Sequence, residues 1–423
     1  MSGGILAASA DSADSAAGGL RAELLTGIQR HRAAFAAAGD EAESLRTLPP
    51  DAVATLRSLG LFWLKTPASL GGTPLPPLEF CDVIEELAYT DVSTAWAAMI
   101  GAGCCGLVGG WLPEAGARRV FTPRPGAGVG VSVGEAGGAD SGLPVVAGQL
   151  APRGTGKPVS SGYVVTGRWG FSSGILHADW LLGAFKTDSA AGDGAASDGG
   201  TGFGRMVVFA APKSDAEVID NWYVAGLQGT GSLDFRVEEL FVPDEMTYDL
   251  GIPAVRGGDL FRLGMPAFVS NEVPPLCVGL ARRALDDMTE LALHTARFPG
   301  GPTVSDRAVF HKELGRAETK LRAARLVHRE AMADCWEMAC AGDPPTEEQQ
   351  LAVTAASVFA VETAAEVVSD LFRYGGGRVL ALSNPMQRHL RNALAARQHL
   401  ALSEEGYEAA GRYRLESAKS RHS

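Results

Sequence analysis

Gly167–Gly183, GRWGFSSGILHADWLLG, reads as a strand, a tight polar turn and a second strand. Trp169, Phe171 and Trp180 supply flat apolar surface, Ser172 and Ser173 supply hydroxyls, and Gly174 allows close backbone approach. A planar redox cofactor needs aromatic walls with one or two hydroxyls aimed at the ring edge. The same residues also suit a β-hairpin in an ordinary core, with Ser-Ser-Gly as its turn.

Outward from this stretch, Pro123 to about Val242 shows no helical period. Short runs rich in Val, Tyr, Trp and Phe alternate with Gly, Pro, Ser and Asp, as in a β-barrel or sandwich. Candidate strands are Val145–Leu150, Gly162–Trp169, Trp180–Lys186, Arg205–Ala211 and Ser232–Val242. Gly134–Pro144 and Asp188–Gly204 read as inserted loops. On the N-terminal side, Leu20–Phe35, a segment from Asp51 to about Leu59, the amphipathic Leu78–Tyr89 and the apolar Val92–Val108 read as helices. Asp51 is the expected cap of the second, and Gly60 its stop.

On the C-terminal side, Leu314, Ala317, Leu321, Ala324, Val327, Ala331, Cys335 and Met338 recur at spacings of three and four. That is one long helix with a sustained apolar seam. Thr346 and Gln349 form a capping box for the next helix, and Asn384 caps a later one with Pro385 at its first position. The expected organisation is α+β and multidomain: a disordered tail over 1–19, a helical domain over 20–122, a β-barrel over 123–250 and a C-terminal four-helix bundle over 251–423.

The chain has 423 residues and a formal net charge of −12, with no basic cluster. A nucleic-acid partner is therefore not expected. Apolar runs such as Ala95–Leu112 carry several glycines and read as falling short of a membrane span. Met1–Gly19 lacks the charged and apolar blocks of a secretory signal. The six cysteines, Cys81, Cys104, Cys105, Cys277, Cys335 and Cys340, form no CxxC pair and read as reduced thiols of a cytoplasmic protein.

Several motifs read as structural. Gly101–Gly106 matches GxGxxG but lies inside a helical stretch with no acidic residue at dinucleotide spacing, so helix packing explains it better. Gly130–Gly134 matches GxSxG, but Glu135–Gly138 and Pro144 leave no helix to follow a nucleophile. His294, His311 and His328 are scattered and suit solvated or capping roles; no metal site is expected. Asn392 and His399 are seven apart, which puts them on one face of a continuous helix, with Arg391 near it. A histidine there can act as a base or as a donor to oxygen, or simply pack near the surface. Gly375–Gly377 offers backbone N–H groups that can hold a phosphate, or merely ends a helix.

Four segments resemble the acyl-CoA dehydrogenase fold superfamily, from about Leu48 to Gly411. Leu56–Leu61 (LRSLGL) with Thr66-Pro67 and Leu70-Gly71-Gly72 is similar to its N-terminal signature. Ala147–Gly154 (AGQLAPRG) leading to Gly167–Gly174 resembles its flavin-facing strands. Gly226–Ser232 (GLQGTGS) leading to Phe241-Val242-Pro243 resembles the last barrel strands. Arg373–Gly377, Gln387–Arg391 and Gln398-His399 resemble its C-terminal signature. The second and fourth segments point to the branch of two-component flavin-dependent monooxygenases.

That resemblance implies an oxygenase component that receives reduced FMN or FAD from a separate reductase. It adds O2 at flavin C4a to form a hydroperoxide, and hydroxylates, N-oxidises or S-oxidises a small organic substrate. The fold usually assembles as a homotetramer. The resemblance also implies site roles: Ser173 near flavin N5, with Trp169, Phe171, Ser172, Gly174, Arg391 and Gln398 around the cofactor; His399, with Asn392 beside it as a further catalytic residue, assisting oxygen or proton transfer; Arg297, Gly375 and Gly376 at the phosphates. The usual Arg-Asp pair reads Arg391-Asn392 here, and an amide gives His399 no charge with which to raise its pKa. A histidine that many phenol hydroxylases of the branch carry is replaced by the Gly103–Gly106 region, which puts a simple phenol substrate in doubt. An acyl-CoA dehydrogenase would need a carboxylate base, for which Glu404 and Glu405 are the nearest acids. A non-catalytic flavin-fold subunit is a third possibility.

Overall fold

Small residues decide the centre of the molecule. The computed structural model describes residues 4–123, 142–187, 206–296, 298 and 300–422. Six helices come first: α1 (Gly4–Arg30), α2 (Arg32–Leu45), α3 (Pro50–Ser58), α4 (Pro77–Thr90), α5 (Val92–Trp111) and α6 (Glu114–Val120). Helix α5 is buried along nearly its whole length. The GxGxxG stretch lies within it, and a Cβ at Gly101 would sit 2.6 Å from the Phe62 ring, one at Gly103 2.6 Å from Glu272 Oε1, and one at Gly106 2.9 Å from Lys65 Cβ. The glycines therefore serve close packing, as expected from the missing strand before them. Asp91 starts α5 by accepting from the Thr94 backbone N–H and hydroxyl, both at 2.7 Å.

Seven strands follow: β1 (Val146–Val159), β2 (Gly162–Trp169), β3 (Trp180–Thr187), β4 (Met206–Pro212), β5 (Glu217–Ile219), β6 (Asp234–Pro243) and β7 (Thr247–Asp249). They form one sheet in the order β5-β6-β2-β1-β3-β4-β7. Strands β1 and β3 run parallel and the remaining neighbours antiparallel. The expected barrel is corrected here, because the end strands β5 and β7 do not pair and the sheet stays open. Both are three residues long, too short to carry the alternation that marks a strand in sequence.

The C-terminal helices are α7 (Asp259–Arg262), α8 (Gly264–Ser270), α9 (Val273–His294), α10 (Ala308–Cys340), α11 (Glu347–Phe372), α12 (Pro385–Ala396) and α13 (Glu405–Ser420). Helix α11 packs against α9, α10, α12 and α13. Its capping box forms as expected, with Thr346 and Gln349 bonding reciprocally, and Asn384 caps α12 through the Met386 N–H. At α3 the expected Asp51 cap does not form; Pro49 holds that position without a side-chain bond, while Gly60 takes the left-handed conformation expected of a stop.

Several expectations need correction. The stretch 1–19, expected to be a disordered tail, is helical from Gly4 onward, in keeping with its alanine content. The seam of α10 is rotated from the apolar reading: Glu313 and His328 are buried while Val327 is exposed. His328 accepts a place in the core because its ring bonds the Ser270 carbonyl at 2.9 Å. Helix α4 turns acidic groups inward as well. Asp82 meets Arg21 and Arg329, and Glu85 meets Arg282 and Arg325, at 2.7–2.8 Å. Helices α5 and α11 are long and apolar enough to cross a bilayer, although the sequence reading judged such runs too short; the apolar window of α5 is 94% buried in protein. The GxSxG match and almost all of both inserted loops lie outside the described residues.

Lys65 and Glu272 form a buried ion pair against α5, with Nζ 2.6 Å from Glu272 Oε1 and 2.6 Å from the Phe268 carbonyl. Burial pushes the lysine down and the glutamate up from their ordinary pKa values, and each partner opposes the other's shift. Removing one partner strands the other charge. Lys65→Met should therefore destabilise the fold by about 3–5 kcal/mol in urea titrations, and Lys65→Met with Glu272→Leu should recover most of that loss. Equal stability of the single and double variants would show that the unpaired charge is not what matters.

Candidate functional site

Trp169 ends β2 in a slot cut from glycine. A Cβ at Gly154 would lie 2.4 Å from its ring, one at Gly167 2.7 Å and one at Gly183 3.0 Å. The indole stacks on Phe235 at 5.0 Å and donates Nε1–H to the Ala184 carbonyl at 2.8 Å. It is fully buried, so it underlies the turn instead of forming an open wall of a site. Phe171 does the opposite. It holds φ at +61°, unusual for a side chain of that bulk, and its ring is 66% exposed, edge-on to Trp222 at 6.0 Å.

Beyond Phe171 the turn is clamped to the segment before β6. The Ser172 N–H donates to the Leu233 carbonyl at 3.0 Å and the Gly174 N–H to the Thr230 carbonyl at 2.9 Å. Ser173 is thereby fixed beside Trp96 of α5, whose Nε1–H donates to Ser173 Oγ at 2.9 Å. The Trp96 ring meets His399 edge-on, with centroids 5.8 Å apart. Ser173 and His399, 226 positions apart in sequence, thus converge on one indole. Sequence reading missed Trp96, because a tryptophan in an apolar helix reads as core; Asp91 capping that helix was the available signal for its register.

The C-terminal candidates separate into two groups. Helix α12 ends at Ala396, because the chain must turn back into α13, which packs on α11. His399 consequently has extended backbone, with φ −63° and ψ 130°, and shares no helix face with Asn392. Asn392 instead accepts from the Leu227 N–H through Oδ1 at 2.7 Å. Arg391 donates to the Ala225 carbonyl at 2.5 Å and pairs with Glu43 at 2.9 Å. Both side chains tie the 225–232 loop in place. Gln398 is exposed, and Gly376 takes φ +61° with open space around it, as a backbone cradle requires; a Cβ at neighbouring Gly375 would collide with Val379. Arg297 lies outside the described residues.

Three buried polar atoms around the turn lack a partner among the described residues: Ser172 Oγ, His177 Nδ1 and His399 Nδ1. Such atoms are rare in a finished core and suit a ligand edge of alternating N–H and C=O groups, such as an isoalloxazine ring. Desolvation holds His399 below its ordinary pKa and pushes His177 down to about 4, where Arg57 and Lys213 add to the effect. Both imidazoles are neutral at pH 7.

Residues 20–111 match the acyl-CoA dehydrogenase N-terminal domain and residues 274–404 the acyl-CoA dehydrogenase C-terminal domain, together more than half of the chain. The chain belongs to the acyl-CoA dehydrogenase superfamily. Indole-3-acetate monooxygenase of Pseudomonas putida is 27% identical over 377 residues, covering 88% of both proteins. The flavin-dependent monooxygenase oxygenase subunit HsaA of Rhodococcus jostii is 28% identical over 371 residues, covering 85% of this chain and 90% of HsaA. XiaF from Streptomyces sp., solved with FADH2 and glycerol, superposes with a TM-score of 0.81 at 25% identity, over 95% of this superfamily member and 96% of XiaF.

The buried histidine makes a sign-defined prediction. Above about pH 6.5 His177 is neutral in both folded and unfolded chains. As pH falls from there to about 4, the unfolded chain takes a proton that the folded site refuses. Stability should therefore drop through that window, with His177 contributing up to about 1.4 kcal/mol per pH unit. His177→Gln should flatten the slope of unfolding free energy against pH by about one proton; an unchanged slope would contradict the burial of a neutral ring.

Proposed function

We propose that this protein is the oxygenase component of a two-component flavin-dependent monooxygenase, using reduced flavin and O2 to oxidise a small organic substrate. The observation that carries the reading is the convergence of Ser173 and a neutral His399 on Trp96, inside a fold shared with named monooxygenases. A separate reductase supplies the reduced flavin, FMN or FAD. When bound, that flavin supplies two electrons and activates O2, one oxygen atom entering the substrate and the other leaving as water.

The chain's own residues do the rest. Ser172, Ser173 and Gly174 would line the ring edge, Phe171 offers an exposed aromatic face, and Gly375 and Gly376, with Arg297, would hold the phosphate end. His399 would receive or return a proton at Nδ1, which no group among the described residues occupies. Trp96 lies between that imidazole and Ser173 and helps keep the serine hydroxyl out of bulk water. Arg391 and Asn392 hold the 225–232 loop that backs the turn.

The rival dehydrogenase chemistry needs a carboxylate over the ring. Glu404 and Glu405 are exposed at the start of α13. Among the described residues the buried acids are engaged elsewhere: Asp91 caps α5, Glu85 pairs with arginines, Glu272 pairs with Lys65 and Glu313 lies 3.7 Å from Arg316 on α10. Cys81, Cys104, Cys105, Cys277 and Cys335 are buried thiols, which supports a reducing, cytoplasmic setting. We further assign the three-unit organisation at 20–122, 123–250 and 251–423, with α9 to α12 as a four-helix bundle that packs in a homotetramer.

His399→Ala tests the assignment. The variant should still bind reduced FMN in anaerobic titration, while substrate oxidation coupled to a flavin reductase falls by about 10²-fold or more and hydrogen peroxide release rises. Undiminished coupling of O2 consumption to product would remove His399 from the reaction. Failure of the unaltered protein to bind flavin in either redox state would favour a non-catalytic subunit.

A further inference from the structure

Four hydrogen bonds in series run from α5 to the 225–232 loop. Trp96 Nε1 lies 2.9 Å from Ser173 Oγ, Ser173 Oγ 2.7 Å from Ser232 Oγ, Ser232 Oγ 2.7 Å from Thr230 Oγ1, and Thr230 Oγ1 2.8 Å from the Leu227 carbonyl. Ser173 and Trp96 are each 7% exposed, Ser232 3% and Thr230 1%, so bulk solvent does not compete for these groups.

Counting protons fixes the direction of the series. A carbonyl only accepts, so Thr230 must donate its one hydroxyl hydrogen to Leu227. Thr230 can then only accept from Ser232. Ser232 has spent its hydrogen on Thr230, so it can only accept from Ser173. The indole N–H only donates, so it fills one lone pair of Ser173. Ser173 is left with no hydrogen to offer and one free lone pair. Both ends of the series are anchored: the Leu227 N–H is held by Asn392, and the Gly174 N–H is bonded to the Thr230 carbonyl.

We infer that Trp96, Ser232 and Thr230 are positioning residues that hold the Ser173 hydroxyl as an acceptor only, so that the site selects the two-electron-reduced isoalloxazine over the oxidised ring. This rests on the reading of the turn as a flavin site. In the oxidised ring the unsubstituted central-ring nitrogen carries a lone pair and needs a donor; two-electron reduction places a hydrogen on it and makes it a donor. An acceptor-only hydroxyl bonds the second form and meets the first lone pair to lone pair. One mismatched neutral hydrogen bond corresponds to roughly tenfold in affinity. The selectivity is then set by three side chains that act through the Ser173 hydroxyl. It lets the protein take up freshly reduced flavin in the presence of the oxidised pool.

The test is anaerobic titration of the full chain with reduced and oxidised FMN and FAD, together with the midpoint potential of the bound flavin. The unaltered protein should bind the reduced form more tightly and raise the potential above that of free flavin. Ser232→Ala frees the Ser173 hydrogen. Binding of oxidised flavin should strengthen about tenfold with little change for the reduced form, lowering the bound potential by about 30 mV. Thr230→Val should act in the same way through Ser232, and it reads the same quantity if Ser232→Ala fails to fold. Thr230→Ser, which keeps the hydroxyl, should restore the original ratio. An unchanged ratio and potential in both Ser232→Ala and Thr230→Val, with flavin still bound, would overturn the inference. Absence of flavin binding in the unaltered protein would instead overturn the flavin reading, and the inference with it.

Discussion

Close approach to α5 is the constraint on which the remaining structure depends. Phe62, Lys65 and Glu272 reach this helix only because its facing positions carry hydrogen in place of a side chain. Small residues at the contact let neighbouring elements approach at backbone distance, and the tight fit leaves few alternative registers. Rotating α5 by one residue would drive Cβ atoms into all three neighbours at once. That rigidity fixes where Trp96 emerges, one turn from the Asp91 cap, and hence where Ser173 and His399 can meet.

The site is assembled from four distant segments, and none of them is held by the helix or strand that carries it alone. The Phe171–Gly174 turn leans on Thr230 and Leu233 through backbone bonds. The 225–232 loop leans on Arg391 and Asn392, and Arg391 in turn on Glu43 of α2. A chain of short polar bonds thus joins the first helices, the sheet and the last helices. Buried polar series of this kind specify geometry more than they add stability, because each member is costly if its partner shifts.

Much of the fold was legible because it rests on local pattern. The helical period, the capping box at Thr346, the glycine packing of α5 and the strands flanking Gly170 follow from residue spacing alone. What escaped is set by partners far away in sequence. Trp169 reads as a cofactor wall until Gly154, Gly167 and Gly183 are brought around it as a slot. His328 reads as a solvated group until the Ser270 carbonyl lies opposite it. Asn392 reads as a companion of His399 until α12 stops at Ala396 and the amide finds Leu227. The open sheet escaped because β5 and β7 are too short to show alternation. Ser173 could be picked out from its turn, but the direction of its hydroxyl depends on Thr230 and Ser232, and no spacing rule encodes a proton count.

The electrostatic character of the site follows from the same arrangement. Glu85, Asp91 and Glu272 are paired away from Ser173 and His399, which lie beside hydroxyls and an indole, while Arg57 and Lys213 bond the backbone carbonyls at the far end of the turn beside His177. A neutral surround disfavours a free carboxylate, because an unpaired anion there would be costly to desolvate. It favours groups that exchange hydrogen bonds without changing charge. Handling a neutral or weakly acidic oxygen species demands only donors and acceptors held in fixed directions, which these groups supply. Replacing the usual aspartate of the C-terminal motif by Asn392 fits that economy: the amide secures the Leu227 N–H without bringing a negative charge to the α12 side of the site.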